Sequence, residues 1–256
     1  MRSMIFLTLM SVVPVLFVHV FAEEELRIVS YSDWIDPSLI YHVVGEIENT
    51  SDKTLSSVNV KAILFDGNNK ILAEETSLVL LDNIQPGFMA PFDIIFSDME
   101  IIKETKYYAI EVVDYSNDIA KPVTLEIVHD ETERNELGLV DVKGKLYNKG
   151  SQEARNAKII TTFYGSDRKV IGAGVAYVDK DTIMPNEYSD FSFSIRVPLT
   201  ENDPDYINVE FMAESDEYVT VPEFPSIIMP VLAVGLLFFI IQSRRISHGL
   251  RNWSIT

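Results

Sequence analysis

The chain has 256 residues, a formal net charge of −18 from 39 acidic and 21 basic side chains, and no cysteine. Its negative field repels nucleic acid and anionic lipid, which excludes a nucleic-acid-binding function. The lack of cysteine excludes disulfides, thiolate catalysis and zinc sites with cysteine ligands.

The beginning of the chain predicts an export signal. Arg2 provides a positive charge before an apolar run from Met4 to Phe21, and Val20 and Ala22 place small residues at the usual cleavage positions. We therefore predict a signal peptide over residues 1–22 that is cleaved after Ala22. An uncleaved signal anchor is the alternative.

The middle of the chain contains a duplication with a period of 99 residues and no gap. The matched pairs are Gly45 and Gly144, Asn49 and Asn148, Lys70 and Lys169, Ile84 and Ile183, Pro86 and Pro185, Phe92 and Phe191, and Glu111 and Glu210. A register kept through these pairs implies one structural unit made twice. We predict one domain over residues 23–117 and a second over residues 118–219, each long enough to bury its own core.

Both copies alternate apolar and polar residues with a period of two. Tyr41, Val43 and Ile47 fall on one face of a run, while His42 and Glu46 fall on the other. The same alternation marks the runs Val140–Leu146, Val58–Leu64, Ala157–Phe163, Phe92–Phe96, Phe191–Ile195, Ile110–Val112 and Val209–Phe211. This period favours half-buried strands over helices.

Segments rich in turn-forming residues separate these strands. Residues 66–69 (Asp-Gly-Asn-Asn) and their copy, residues 165–168, predict hairpin turns, because Gly and Asn accept positive φ. Pro86-Gly87 and Pro185-Asn186 predict turns before the Phe92 and Phe191 strands. Short strands with frequent turns are typical of a β-sandwich. The predicted fold class is all-β, with two tandem sandwich domains.

A membrane anchor is predicted near the C-terminus, where residues 224–241 carry no charge. As an α-helix they would span about 27 Å, close to the hydrocarbon thickness of a bilayer. Arg244 and Arg245 follow as a membrane stop, and no acidic residue follows Glu223. The positive-inside tendency then predicts an external ectodomain, a transmembrane helix over residues 226–243 and a cytoplasmic basic tail over residues 244–256. A buried core helix is the alternative.

Pro222, Glu223 and Phe224 lie in the juxtamembrane segment 220–225, directly before the apolar helix and the arginine pair. This order resembles the archaeal PEF-type C-terminal sorting signal. The resemblance implies an archaeosortase as a partner, which removes the helix and leaves the protein attached to the cell surface. The alternative is a plain juxtamembrane turn, in which proline sets the chain direction.

Both copies also resemble a known type of module. The pattern lies in Val43–Thr50, Val58–Asp66, Gly67–Ile71, Ile84–Gly87 and Pro91–Ile94 of the first copy. It is similar to the FxLYD and related CARDB-like Ig-type modules of prokaryotic surface proteins. The resemblance implies a seven-strand Ig-like sandwich with an adhesion or spacer role rather than catalysis.

No residue pattern in the sequence predicts a catalytic residue, a cofactor site or a metal site. His42 lies on an outward strand face and His129 in an acidic run, and neither has a histidine partner in the other copy, so both are interpreted as surface residues. Calcium takes six to eight oxygen ligands, and the acidic loops offer some. They are Asp203 with Asp205, Asp179 with Asp181, and Asp98 with Glu100, which we interpret as solvated loop acids.

Two smaller motifs have both a functional and a structural interpretation. Asn49-Thr50-Ser51 is a glycosylation sequon, so Asn49 is a candidate modification site, although Asn148 occupies the same turn without a sequon. Gly172 and Gly174 lie in a predicted strand, where close packing or a bulge explains them better than a phosphate loop does.

These observations predict a non-catalytic cell-surface protein of the cell envelope. It would display two Ig-like modules for adhesion, spacing or binding of an envelope protein or glycan, from a membrane anchor that is either a single span or a processed segment. Contact through loop tips or strand edges is the expected mechanism. An accessory subunit of a membrane complex is the first alternative. A hydrolase or metal-dependent enzyme and calcium-dependent rigidity are further ones.

Overall fold

The computed structural model describes residues 25–135, 139–198 and 208–220. These residues are mostly β-strand, which confirms the predicted all-β fold. The first half contains β1 (Leu26–Ile35), β2 (Tyr41–Asn49), β3 (Thr54–Phe65), β4 (Ile71–Leu78), β5 (Met89–Phe96), the short helix α1 (Met99–Glu104) and β6 (Tyr107–Asp118). The second half contains β7 (Val123–Arg134), β8 (Val140–Asn148), β9 (Ala154–Arg155), β10 (Lys158–Tyr164), β11 (Val170–Tyr177), β12 (Thr182–Ile183), β13 (Tyr188–Ile195), β14 (Asn208–Glu214) and β15 (Val219–Thr220).

The first half has two antiparallel three-stranded sheets, ordered β1-β2-β5 and β4-β3-β6. Alternate residues of both sheets point into one apolar cluster, which is consistent with a β-sandwich. Val43 and Phe92 of one sheet and Val60 and Leu64 of the other have no solvent exposure. The alternation predicted from the sequence is therefore the alternation that builds this core.

The second half repeats this arrangement with strands β7-β8-β13 and β11-β10-β14 around a second cluster. β2, β4 and β5 begin and end 99 residues before β8, β11 and β13. The isolated bridge between Leu55 and Ile84 reappears as the β9–β12 pairing of Ala154 with Ile183. The sequence period is thus a structural period in these strands, while β14 pairs with β10 about two residues out of step with the pairing of β6 with β3.

A glycine at the centre of β2 and of β8 allows a phenylalanine to fill each core. A Cβ on Gly45 would lie 2.6 Å from Cζ of Phe92 and 2.6 Å from the Ser30 carbonyl oxygen. On Gly144 it would lie 2.6 Å from Cζ of Phe191. Any side chain at these positions would displace the ring or the backbone, which explains why both copies keep the Gly–Phe pair.

The predicted turns before β5 and β13 are present and share an unusual backbone geometry. Gly87 has φ of 78° and its counterpart Asn186 has φ of 62°. Glycine and asparagine are the residues that adopt this left-handed region at least cost. The same turn therefore forms with either residue.

Helix α1 is a feature that strand alternation did not predict. Oδ1 of Asp98 accepts hydrogen bonds from the backbone N–H groups of Glu100 (2.9 Å) and Ile101 (3.3 Å), and so caps the helix N-terminus. Ile102 anchors the helix on the first core. The Asp98 carboxylate, a candidate calcium ligand in the sequence, serves as a helix cap in the structure.

Several predictions fall outside the described residues. They are the signal peptide over residues 1–22, the motif Pro222-Glu223-Phe224, the transmembrane helix over residues 226–243, the stop residues Arg244 and Arg245, and the acids Asp203 and Asp205. Within the three described ranges, none of the helices has the length and apolar character needed to cross a membrane. The boundaries predicted for the two domains also stay predictions.

Candidate binding groove

The last described strand, β15, seals one side of the second half. It lies between β14 and β7, antiparallel to the first and parallel to the second, with Val219 opposite both Glu214 and Val123. The backbone N–H of Val219 donates to the carbonyl of Pro122 at 3.1 Å. Val219 is 0% exposed and Thr220 is 3% exposed. This strand joins the two sheets of the half into one seven-stranded sheet.

The same side of the first half is open. β1 and β6, the counterparts of β7 and β14, are the outer strands of their sheets, and no strand of the described chain lies between them. A cavity of about 510 Å³ opens there, which we call the β1–β6 groove. It is lined by Leu26, Ile28, Ile110 and Val112, with Glu25, Arg27, Glu111 and Tyr115 also at its walls.

The 99-residue period shows that this groove corresponds to the slot of β15. Leu26 corresponds to Leu125, which pairs with Thr220. On the other strand, Lys158 pairs with Glu214, while its counterpart Asn59 pairs with Asp114, so Asp114 stands in the place of Glu214, which pairs with Val219. One equivalent place therefore holds a strand in the second half and an open groove in the first.

Charged side chains surround the groove. The guanidinium of Arg27 pairs with Glu48 at 2.5 Å, and Nζ of Lys53 lies 3.4 Å from Glu25. A hydrogen bond from Tyr115 to the Glu25 carboxylate raises the pKa of that phenol. The walls thus combine an apolar lining with charges of both signs.

A second cavity of about 450 Å³ lies further along the same two strands. A bulge at Val29 shifts the register of β1, and Tyr31 and Asp33 line this cavity beyond it. Tyr31 meets Tyr108 of β6 edge to face, with 6.1 Å between the ring centroids. The two cavities therefore lie along the same open side of the first half, and their linings differ: one is mainly apolar and the other mainly aromatic.

Asp33 is the polar centre of the aromatic end. Its Oδ2 accepts a hydrogen bond from the Tyr41 hydroxyl at 2.9 Å. Burial raises the pKa of both Tyr41 and Tyr108, and the nearby Asp33 carboxylate raises them further. Both phenols consequently stay protonated, as hydrogen-bond donors to this carboxylate.

The two halves contact each other through the face of the β1-β2-β5 sheet that points away from the first core. The backbone N–H of Val170 in β11 donates to Oγ of Ser30 at 2.9 Å, and Oγ of Ser32 donates back to the Val170 carbonyl at 2.5 Å. The Tyr164 hydroxyl lies 2.8 Å from Oε2 of Glu46 and 3.2 Å from Oε2 of Glu210. Burial raises the pKa of both glutamates.

A second contact between the halves centres on Glu214, which is 2% exposed. Its carboxylate accepts from Nζ of Lys121 at 2.6 Å and from the backbone N–H of Asp82 at 2.8 Å. Lys158 bonds the Asp82 carboxylate at 2.8 Å. Ile160 and Met212 of the second half pack into the cluster of the first. Lys121, in the segment between β6 and β7, thus shares one hydrogen-bonded network with side chains of both halves.

The two described histidines have different surroundings. His42 stacks on Trp34 at 4.4 Å, and its Nδ1 lies 3.0 Å from both carboxylate oxygens of Asp93, so it is half-buried rather than simply solvated. His129 contacts Thr132 through Nε2 at 2.7 Å. Across the described ranges, no three His, Asp or Glu side chains are placed to hold a metal ion.

Asn49, the candidate glycosylation site, is fully buried. Its Nδ2 donates to the carbonyls of Lys53 and Ile84, each at 2.7 Å. Asn148 makes the equivalent bonds to the carbonyls of Gln152 (2.8 Å) and Ile183 (2.9 Å). These contacts favour the structural interpretation of Asn49, because a glycan would need the same nitrogen. Modification itself remains a prediction that requires attachment before folding.

Gly172 and Gly174 serve packing. A Cβ on Gly172 would lie 2.5 Å from Cγ1 of Val197, and one on Gly174 would lie 2.4 Å from Cδ1 of Ile195. The close-packing interpretation is confirmed, since only a bare backbone lets β11 approach these side chains.

Comparisons with known proteins leave the chain without a family. No protein-family model matches the sequence, and no curated protein matches it. Among solved structures, red sea bream transglutaminase matches 76% of this chain and 31% of its own, with 9% identity and a TM-score of 0.26. A beta-glucuronidase of Parabacteroides merdae matches 75% of this chain and 27% of its own, with 12% identity and a TM-score of 0.25. The chain is thus similar to parts of larger proteins, at a level that says nothing of its activity.

Proposed function

We propose that this chain is a non-catalytic cell-surface protein that holds two Ig-like modules outside the cell and binds another envelope protein. The apolar start, the acidic middle and the apolar segment before Arg244 and Arg245 support export and anchoring. The PEF-like motif at Pro222 supports processing by an archaeosortase. The strand content and the repeated sandwich-like halves support the Ig-like modules.

The open side of the first half is the observation that carries the binding function. A sandwich edge that exposes apolar and aromatic side chains is a site where another chain can pack or add a strand. In the second half β15 fills the corresponding edge. A protein made of two copies with one open edge is suited to bind at that edge.

The docking of the two halves supports a spacer role beside the binding role. Ser30, Glu46 and Glu214 hold the second half against the first through buried polar contacts. Such contacts fix the position of the groove relative to the second half. A fixed geometry would present the groove at a constant distance from the membrane anchor.

Surface location is tested by proteolysis of intact cells, followed by intact-mass measurement of the purified protein. The proposal predicts that an external protease digests residues 25–220 in intact cells. It also predicts a mature mass that lacks residues 1–22 and, if the sorting signal acts, the segment after residues 222–224. Protection of the whole chain until the cells are lysed would contradict the proposal.

The alternative of an accessory subunit has its own test. Extraction in mild detergent followed by affinity purification would recover a stoichiometric membrane partner if the chain is such a subunit. The proposed surface function predicts that no integral membrane protein co-purifies in stoichiometric amount, that any bound envelope protein stays with the ectodomain, and that removal of residues 226–256 releases this ectodomain in folded form.

A further inference from the structure

We propose that the β1–β6 groove binds an extended segment of another protein, which inserts antiparallel to β6 and parallel to β1. This inference rests on the proposed function and names the occupant of its site. The segment would place one β-branched apolar side chain opposite Asp114 on the edge of β6, as Val219 lies opposite Glu214 on β14 in the second half. It would join the two sheets of the first half, as β15 joins those of the second.

The direction and position of the segment follow from the repeat. In the second half, β15 pairs with Glu214 of β14 and with Val123 and Leu125 of β7. In the first half Leu26, at the wall of the groove, corresponds to Leu125. Asp114, next to the groove residue Tyr115, pairs with Asn59 as Glu214 pairs with Lys158, the counterpart of Asn59. A strand bound there would therefore occupy the place of β15, 99 residues earlier in the repeat.

The side chains and the strand edges of the groove fit such an occupant. Leu26, Ile28, Ile110 and Val112 offer an apolar lining, and all four contact the first core. β1 and β6 are both edge strands, so a segment between them could pair with two backbones at once. In the second half a two-residue strand in this place has no more than 3% exposure, which shows that a short insert is enough to close it.

The charge of the whole chain indicates which residues flank the partner segment. Glu25 and Glu111 beside the groove already pair with Lys53 and Lys61, so the formal net charge of −18 is what favours a segment flanked by lysine or arginine. The partner is thus an extended, β-branched segment with basic flanks, as opposed to a helix or a glycan.

The chain supplies its own probe for this site. A fluorescent peptide with the sequence of residues 218–221 and two lysines on each side is titrated into the full-length protein in detergent, and binding is measured by anisotropy. We expect saturable binding. A matched peptide with Val219→Asp should bind about tenfold more weakly or worse, since it loses the buried apolar side chain. Equal binding of the two peptides, or no binding of either, would overturn the inference.

Two protein variants locate the bound peptide. Val112→Asp places a charge in the groove and should abolish binding, while Val113→Asp, beside it on β6 and 44% exposed, should leave binding within about twofold. Circular dichroism melts check that both variants fold. If Val112→Asp does not fold, hydrogen exchange of the unaltered protein decides: added peptide should slow exchange in β1 and β6 and leave β7 and β14 unchanged. Protection elsewhere would overturn the inference.

Other outcomes separate this inference from the proposed function. Light scattering of the free protein tests a second copy as the occupant, and a dimer that Val112→Asp dissociates would overturn the assignment of the groove to a different protein. If the protein is exposed on the cell surface but does not bind the peptide, the inference about the groove is wrong and the proposed surface function still stands. If external protease does not digest the protein in intact cells, the proposed surface function is wrong, whether or not the peptide binds.

Discussion

The two halves of this molecule have the same interior and different edges. Gly45 and Gly144 accept Phe92 and Phe191 in the same way, and Asn49 and Asn148 bond to equivalent carbonyls. At the edge, β15 fills in the second half the place that stays open in the first. A duplicated unit thus retains the contacts that every copy needs to fold, while its edges are free to acquire separate tasks.

Glu214 on β14 and Tyr115 on β6 show how the side chains of the two edge strands differ. Glu214 turns its carboxylate towards the interface between the halves, where Lys121 and Asp82 satisfy it. Tyr115 is 40% exposed beside the groove. The edge strand of the second half therefore supports the contact between the halves, while the edge strand of the first half lines a cavity.

The largest expected effect tests the shared interior. Phe92→Ala and Phe191→Ala should each lower the free energy of unfolding by about 3–5 kcal/mol, because each empties the centre of a core. Urea denaturation followed by circular dichroism measures both. Ile119→Ala, at a side chain that is 86% exposed, is the control and should change stability by less than about 0.5 kcal/mol. A small loss for one phenylalanine alone would show that the two cores are not equivalent.

The next effect tests the difference between the edges. Glu214→Ala should cost about 3 kcal/mol, because Lys121 and the Asp82 N–H lose a buried acceptor. Tyr115→Ala, on the edge strand of the first half, should cost less than about 1 kcal/mol, since the side chain is 40% exposed. Similar losses in the same urea assay would contradict the assignment of one sealed and one open side.

A smaller effect tests the buried asparagines. Asn49→Ala and Asn148→Ala should each cost about 2 kcal/mol, because two carbonyls lose their donor at each site. The halves should respond alike in thermal melts. A loss seen only for Asn49 would indicate that this residue has a role beyond the shared turn, such as the predicted glycosylation.

The smallest effect concerns pH and the contact between the halves. Burial raises the pKa of Glu46 above its ordinary value of 4.5. The folded state therefore holds its proton to higher pH than the unfolded state does, and this stabilising contribution disappears as the pH rises through the raised pKa. Glu46→Gln stays neutral at every pH. Its stability relative to the natural protein should therefore increase as the pH rises from the ordinary pKa of 4.5 towards neutrality.

Glu210→Gln should act in the same direction, because burial also raises the pKa of Glu210. Melting temperatures at a series of pH values measure both differences. A difference that does not change with pH would show that these carboxyl groups are not buried between the halves.

The sequence predicted the interior of this protein better than its surfaces. Alternation with a period of two located the strands around Val43 and Phe92, and the spacing of 99 residues located their copies. These features follow from burial within one half, which leaves a local pattern. Glu46 was correctly placed on the outward face of β2, but the second half covers that face and leaves the side chain 5% exposed.

The docking of the halves, helix α1 and strand β15 were not predicted. Docking depends on pairs distant in sequence, such as Ser30 with Val170, which leave no local period. Helix α1 and β15 have six and two residues, too few to show a period.

Amide hydrogen exchange of the free protein tests the central claim most directly, since it compares equivalent edges in one experiment. We expect the edge of β14 (Asn208–Glu214) that faces β15 to be protected, while the matching edge of β6 (Tyr107–Asp118) exchanges faster. Fast exchange at both edges would show that β15 does not seal the second half. Equal strong protection at both would show that the first half has no open groove.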